Sequence, residues 1–186
     1  LLKFSIRRLM KLKNIINLSL FVLTYAYSIS LYDVYVQAGP ANGYDRYIEL
    51  DPNFIYTGGI GSGEESVYIQ GNGAVIDLLE GTGIWIAGDI NNNITGSLDI
   101  DHCTITNGGS YGINLSGYST NSITNCNLID VYWGIQVNDN IHVTIKNCNF
   151  IDNVYGLAII GEDTDVNLSY CNAWSNDYNY MLNCIG

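Results

Sequence analysis

Four cysteines, Cys103, Cys126, Cys148 and Cys171, recur at an almost constant spacing, and each sits in a similar run of sequence. The runs are Leu98-Asp-Ile-Asp-His-Cys103-Thr-Ile, Thr124-Asn-Cys126-Asn-Leu, Val143-Thr-Ile-Lys-Asn-Cys148-Asn-Phe and Val166-Asn-Leu-Ser-Tyr-Cys171-Asn-Ala. A second block follows shortly after each: Tyr111-Gly-Ile-Asn-Leu, Trp133-Gly-Ile-Gln-Val, Tyr155-Gly-Leu-Ala-Ile and Tyr178-Asn-Tyr-Met-Leu. A looser copy comes earlier, Val67-Tyr-Ile-Gln-Gly-Asn-Gly-Ala-Val-Ile-Asp77 followed by Gly83-Ile-Trp-Ile. A repeat this short cannot bury an apolar face alone, so it must stack on its neighbours.

Within each block, apolar and polar residues alternate with a period of two. Leu98/Ile100, Val143/Ile145 and Ile135/Val137 are examples. That is the pattern of short half-buried strands. Gly, Asn, Asp and Ser fill the intervals as turns require. The intervals within the repeat carry no convincing helical stripe, and the leucine-rich-repeat signature is missing. The expected fold is all-β, a single-stranded parallel β-helix (a solenoid) with roughly 22–23 residues per coil. Coils about 4.8 Å apart place each residue over its counterpart. Ile105/Leu128/Phe150/Ala173 would then fill the bore, and Asn127/Asn149/Asn172 would form an amide ladder. The four cysteines share the inward phase. Stacked neighbours with parallel Cβ directions about 4.8 Å apart suit a disulfide poorly, so buried free thiols are expected. Cys184 falls out of phase and is the candidate for pairing.

Charge separates the two ends of the chain. The net charge is −11, yet five of the seven bases lie between Lys3 and Lys13. Beyond Ser28 only Arg46 and Lys146 face all 18 acids, 2 − 18 = −16. A surface so poor in cations cannot neutralise phosphates, which argues against nucleic acid as a partner. The basic stretch from Met10, the apolar Ile15–Leu23 and the small residues of Ala26-Tyr-Ser28 have the layout of a secretory signal peptide. Residues 1–28 are therefore read as a leader, with 1–9 as upstream read-through. An uncleaved leader would be the one route to a membrane, and its apolar run is short for a span. Export implies a secreted, periplasmic or cell-surface protein. Residues 29–66 are read as leading strands or a cap, and 67–186 as coils that continue past the C-terminus, because the last block shows no polar cap.

The Asn-Cys-Asn and aromatic-Gly-Ile motifs and Ile69-Gln-Gly-Asn-Gly-Ala-Val-Ile-Asp77 resemble the right-handed parallel β-helix proteins of the pectate-lyase-like superfamily, from about Tyr32 to the C-terminus. The resemblance implies a right-handed coil. It leaves the chemistry open among polysaccharide lyases, glycosidases and adhesins. Lyases of this fold resemble one another in a basic proton abstractor with acids that hold Ca²⁺; here only Arg46 and the outward Lys146 offer that charge. The Asn-Thr-Asp, Asp-Asp, Gly-His-Gly and Arg-Ile-Lys motifs of polygalacturonase-type hydrolases are missing.

Three sets of side chains are candidates for a site. Asp99 and Asp101, two apart on one strand with His102 beside them, could serve as acid and base on a sugar or be a solvated face. Asp130 and Asp152 occupy equivalent positions, where stacked carboxylates suit Ca²⁺ or simply a tight turn. Tyr111, Trp133 and Tyr155, with Tyr178, form a column that would be a sugar-stacking platform if outward and core packing if inward. The expected function is an exported module that binds carbohydrate or another extracellular surface. The alternative is a polysaccharide lyase or glycoside hydrolase whose catalytic residues lie partly beyond residue 186.

Overall fold

A computed structural model of the chain describes residues 28–182, with the backbone alone at Leu182. The leader, apart from Ser28, and Cys184 lie outside the described residues. Within them the chain winds through six successive coils of short strands. The coils are β2 (Arg46–Glu49), β3 (Ile55–Thr57) and β4 (Ile60–Ser62); β5 (Ser66–Gln70), β6 (Val75–Asp77) and β7 (Ile84–Ile86); β8 (Gly96–Asp101) with the long β9 (Thr104–Leu115); β10 (Ser119–Thr124) with the long β11 (Asn127–Val137); β12 (Ile141–Lys146), β13 (Asn149–Ile151) and β14 (Tyr155–Ile159); and β15 (Asp165–Ser169), β16 (Asn172–Trp174) and β17 (Tyr178–Leu182). β1 (Ser28–Ser30) pairs with β3 ahead of the first coil. The pairings between these strands are all parallel.

The first face runs β2-β5-β8-β10-β12-β15. The second runs β1-β3-β6 and on through β9, β11, β13 and β16, and the third runs β4-β7 and on through β9, β11, β14 and β17. β9 and β11 bend from the second face into the third, which merges those two sheets. The coils begin at Arg46, inside the stretch read from sequence as leading strands and cap. That start is hidden in the sequence because the length of a coil varies. Arg46 on β2 lies beside Val67 on β5, whereas Val67 lies beside the much more distant Leu98 on β8. Most of the extra length is taken up by the loop 87–95, and the rest by residues 78–83 between β6 and β7.

Registry puts like on like. Ile69, Ile100, Ile123 and Ile145 pair in sequence along the first face and are buried. Ile76, Ile105, Leu128 and Phe150 do the same on the second, and Ile84, Ile113, Ile135 and Leu157 on the third. Cys103, Cys126 and Cys148 are buried free thiols in one row, continued by the half-buried Cys171. Burial pushes the Cys103 thiol up to about 12. The amide ladder forms too: Asn149 Nδ2 donates to Asn127 Oδ1 at 2.8 Å and Asn172 Nδ2 to Asn149 Oδ1 at 3.2 Å.

Left-handed residues turn the corners. His102, Asn125, Asn147 and Tyr170, each just before a cysteine, have φ of 54–55°, and Asn107, Asp130, Asp152 and Ser175 have φ of 54–60°. Asn and Asp tolerate this conformation best among residues with a side chain. Gly134 is fixed differently. A Cβ there would lie 2.2 Å from the carbonyl oxygen of Gly156, so only glycine lets the next coil pass. Gly112, Gly134 and Gly156 are all buried, as is the aliphatic residue after each. Two inward positions in a row break the alternation and turn the preceding aromatic outward.

A helix, α1 (Leu31–Gln37), covers the N-terminal end of the bore with Leu31 and Tyr35. Sequence reading missed it, although Ser30 is an N-cap whose hydroxyl accepts from the Asp33 amide at 3.2 Å. Arg46 pins the cap: its guanidinium lies 3.0 Å from Glu65 Oε1, donates to the Ala38 carbonyl at 2.9 Å and stands over the Tyr35 ring. No helix among the described residues is long and apolar enough to cross a membrane.

Column packing sets the expected cost of substitutions. Phe150→Ala should destabilise the protein by about 3–5 kcal/mol, whereas Asn149→Ala should cost about 1 kcal/mol, both read from urea unfolding. Cys103, Cys126 and Cys148 should react with a thiol reagent only at the rate of unfolding; rapid labelling of the native protein would contradict the buried row.

Candidate functional site

The outward side of the first face holds the densest set of polar and aromatic side chains. Strand pairing stacks Tyr47, Tyr68 and Asp99 in one column and Glu49, Gln70 and Asp101 in the next. The Tyr47 and Tyr68 rings lie 5.0 Å apart and 12° from parallel. Tyr44 joins them from a tight turn closed by the Ala41–Tyr44 bridge, in which Asn42 and Gly43 have φ of 52° and 89°. Its ring sits 5.1 Å from Tyr68, tilted by 40°.

The phenolic protons are committed. Tyr44 donates to Asp99 Oδ2, Tyr68 to Gln70 Oε1 at 2.6 Å, and Tyr47 to Glu49 Oε1 at 3.3 Å. The bond to Asp99, with burial and the Asp99 charge, pushes the Tyr44 phenol up to about 12. Burial, then the nearby Asp101 charge, raises Tyr68.

Asp101 is the hub of the neighbouring turn. Thr124 Oγ1 and Asn125 Nδ2 donate to its Oδ1 at 2.6 and 2.7 Å, and His102 Nδ1 lies 2.7 Å from Oδ2. Partial burial works against its charge, yet the bonds from Thr124, Asn125 and His102 outweigh it and hold the carboxyl below its usual range. Sequence reading placed Asp99, Asp101 and His102 together, and they are together. Their partners, however, suit acceptors and anchors. A glycosidase pairs a protonated carboxyl with an ionised one, and Asp101, held below its usual range, does not suit the role of the acid. Lys146 is exposed in the Asp101 column, two strands further along, roughly 10 Å away at two strand spacings, and does not join the group.

The other candidates resolve differently. Asp130 and Asp152 lie at the left-handed corner, Asp130 exposed and Asp152 likewise. Among the described residues no group of three or more His, Cys, Asp and Glu side chains is arranged to hold a metal ion. Tyr111, Trp133 and Tyr155 point outward and are half-buried. The Trp133 and Tyr155 rings stack at 4.1 Å and 11°, and Tyr155 and Tyr178 at 4.9 Å and 12°. Within this stack Tyr155 has a ring on both faces, and the stacking staples adjacent coils. Tyr44, Tyr47 and Tyr68 were not singled out from the sequence. The available signal was the pair Tyr47-Ile48 and Tyr68-Ile69, equivalent positions hidden by the drifting period.

The lowered Asp101 carboxyl ties stability to pH. Because its folded pKa lies below the unfolded value, its contribution is fully present above the usual carboxylate range and is lost as pH falls through the folded pKa. Asp101→Asn should lower unfolding stability near neutrality by on the order of 1 kcal/mol, and the gap to wild type should close in acid. A gap independent of pH would contradict the role given to the charge.

Comparison with known proteins agrees with the coil geometry. No curated protein and no solved structure gives a significant match to the chain. A family model described as a right-handed β-helix region matches residues 52–184. That span covers most of the six coils, and the chain belongs to the right-handed β-helix family.

Proposed function

We propose that this chain is an exported surface module that binds carbohydrate through the tyrosine and carboxylate patch of its first face. The observation that carries the reading is the Tyr44–Tyr47–Tyr68 cluster set directly against Asp99, Gln70 and Asp101. Sugars present C–H faces that pack on rings and hydroxyls that need acceptors, and this patch offers both. Among the described residues Tyr47 has no ring partner on its second face, unlike Tyr155 in the third-face column. Hydrogen-bond saturation of Asp101 favours binding over bond cleavage. The leader-like segment 1–28 supports delivery to the cell surface or beyond.

Titration of the full chain against a glycan panel tests the reading. Tyr47→Ala should weaken binding up to about tenfold, the effect of one aromatic contact of about 1 kcal/mol or more, and Tyr68→Ala should weaken it by removing the ring that supports Tyr47. Trp133→Ala should leave affinity within about twofold while lowering stability by roughly 1 kcal/mol or more. Equal losses for Trp133→Ala and Tyr47→Ala would move the site to the third face, and no binding across the panel would overturn the reading.

A further inference from the structure

We infer that the tyrosine patch selects a glycan bearing free amino groups and rejects uronate polymers; this rests on the carbohydrate-binding reading above. The first support is hydrogen-bond polarity. All three phenolic protons are turned inward onto Asp99, Gln70 and Glu49. What the tyrosines leave for a ligand is oxygen lone pairs. The second carboxylate oxygens of Glu49 and Asp99 add acceptors, so a ligand is met mainly as a donor of protons.

Charge complementarity points the same way. Between Ser28 and the C-terminus Arg46 and Lys146 are the only Lys or Arg residues against 18 acids, and the two imidazoles, His102 and His142, each lie against an aspartate, Asp101 and Asp165. Arg46 is committed to Glu65 and to the Ala38 carbonyl at the cap. Lys146 is two strands beyond Asp101. Among the described residues no lysine or arginine therefore stands free beside the rings to receive a sugar carboxylate, whereas Glu49, Asp99 and Asp101 surround Tyr68 and add to the effect of burial in raising its phenol. An anionic polymer would bring like charge against these three. An ammonium group would find oriented acceptors of complementary charge. Neutral hydroxyls fit the acceptors but gain nothing from the charge.

Three matched sets of soluble β-linked oligomers separate the possibilities: oligoglucosamine, its N-acetylated form and oligoglucuronate. Each is titrated into the full chain at pH about 5.5, where most Asp and Glu side chains are ionised, in low and high salt. Oligoglucosamine should bind about tenfold tighter than the N-acetylated form in low salt, and the advantage should shrink as salt screens it. Oligoglucuronate should not bind. Glu49→Gln, at an exposed position, should reduce the amine advantage severalfold, weakening oligoglucosamine more than the N-acetylated form. Tyr47→Ala should weaken both. The inference falls if oligoglucuronate binds as well as oligoglucosamine, if the amine brings no advantage, or if oligoglucosamine and polylysine bind Tyr47→Ala as tightly as wild type, which would mark general attraction to an acidic protein. In the first two cases the N-acetylated form, still bound and still dependent on Tyr47, would leave the carbohydrate reading standing. Binding of none of the three glycans would remove the carbohydrate reading as well.

Discussion

Parallel hydrogen bonding between successive coils, one strand spacing of about 4.8 Å apart, is the constraint on which the molecule depends. It forces each side chain to lie over its counterpart in the next coil. A side chain is therefore selected for how well it packs on a copy of itself. Aliphatics, thiols, amides and aromatic rings tolerate or gain from that arrangement, and each type has a column here. The amide ladder at Asn127, Asn149 and Asn172 illustrates the gain, since every carboxamide is both donor and acceptor.

Carboxylates respond in the opposite way, because a stacked pair at this spacing repels. On the first face the sequence avoids the clash. Asp101 lies between Gln70 and Thr124, and Asp99 between Tyr68 and Ser122. On the second face Asp77 is followed by Thr106, while Asn107 reaches back to donate to it at 2.8 Å. Every such acid faces a hydroxyl, a phenol or an amide. Asp130 and Asp152 are the pair left in line, and they occupy exposed corners where water screens them. Acidity is thus spread over the faces, and local alternation makes Asp77, Asp99 and Asp101 anchored acceptors.

What the sequence could show follows from the same registry. Coils from Gly96 onward have short corners of nearly constant length, so their columns stand out as a repeat. Coils from Arg46 to Ile86 obey the same stacking with a spacing that drifts. Ile55 lies beside Val75, Arg46 beside Val67 and Ile60 beside Ile84, while the next step takes Val67 to Leu98 and Val75 to Thr104. No fixed period survives those changes. The tyrosine patch is built across those coils and stayed hidden for that reason. Asp99, Asp101 and His102 were visible because they border the regular part. The outward turn of Trp133 was ambiguous because it depends on Gly134 facing inward, and that follows from a close approach to the Gly156 carbonyl rather than from alternation.

The two aromatic columns show how one constraint yields two outcomes. On the third face, Trp133, Tyr155 and Tyr178 stay within 12° of parallel over successive coils, and the stacking leaves the interior ring, Tyr155, only its edges to offer. On the first face the column of rings ends at Tyr68, because the next position is Asp99. Tyr44 fills the space from outside the coil, tied to Asp99 and tilted by 40°, so the series cannot propagate. A column that continues becomes a staple. A column that stops after two rings leaves the outer face of Tyr47 without a ring partner, with Glu49 beside it as an acceptor, and that juxtaposition gives this β-helix a local site on an otherwise periodic face.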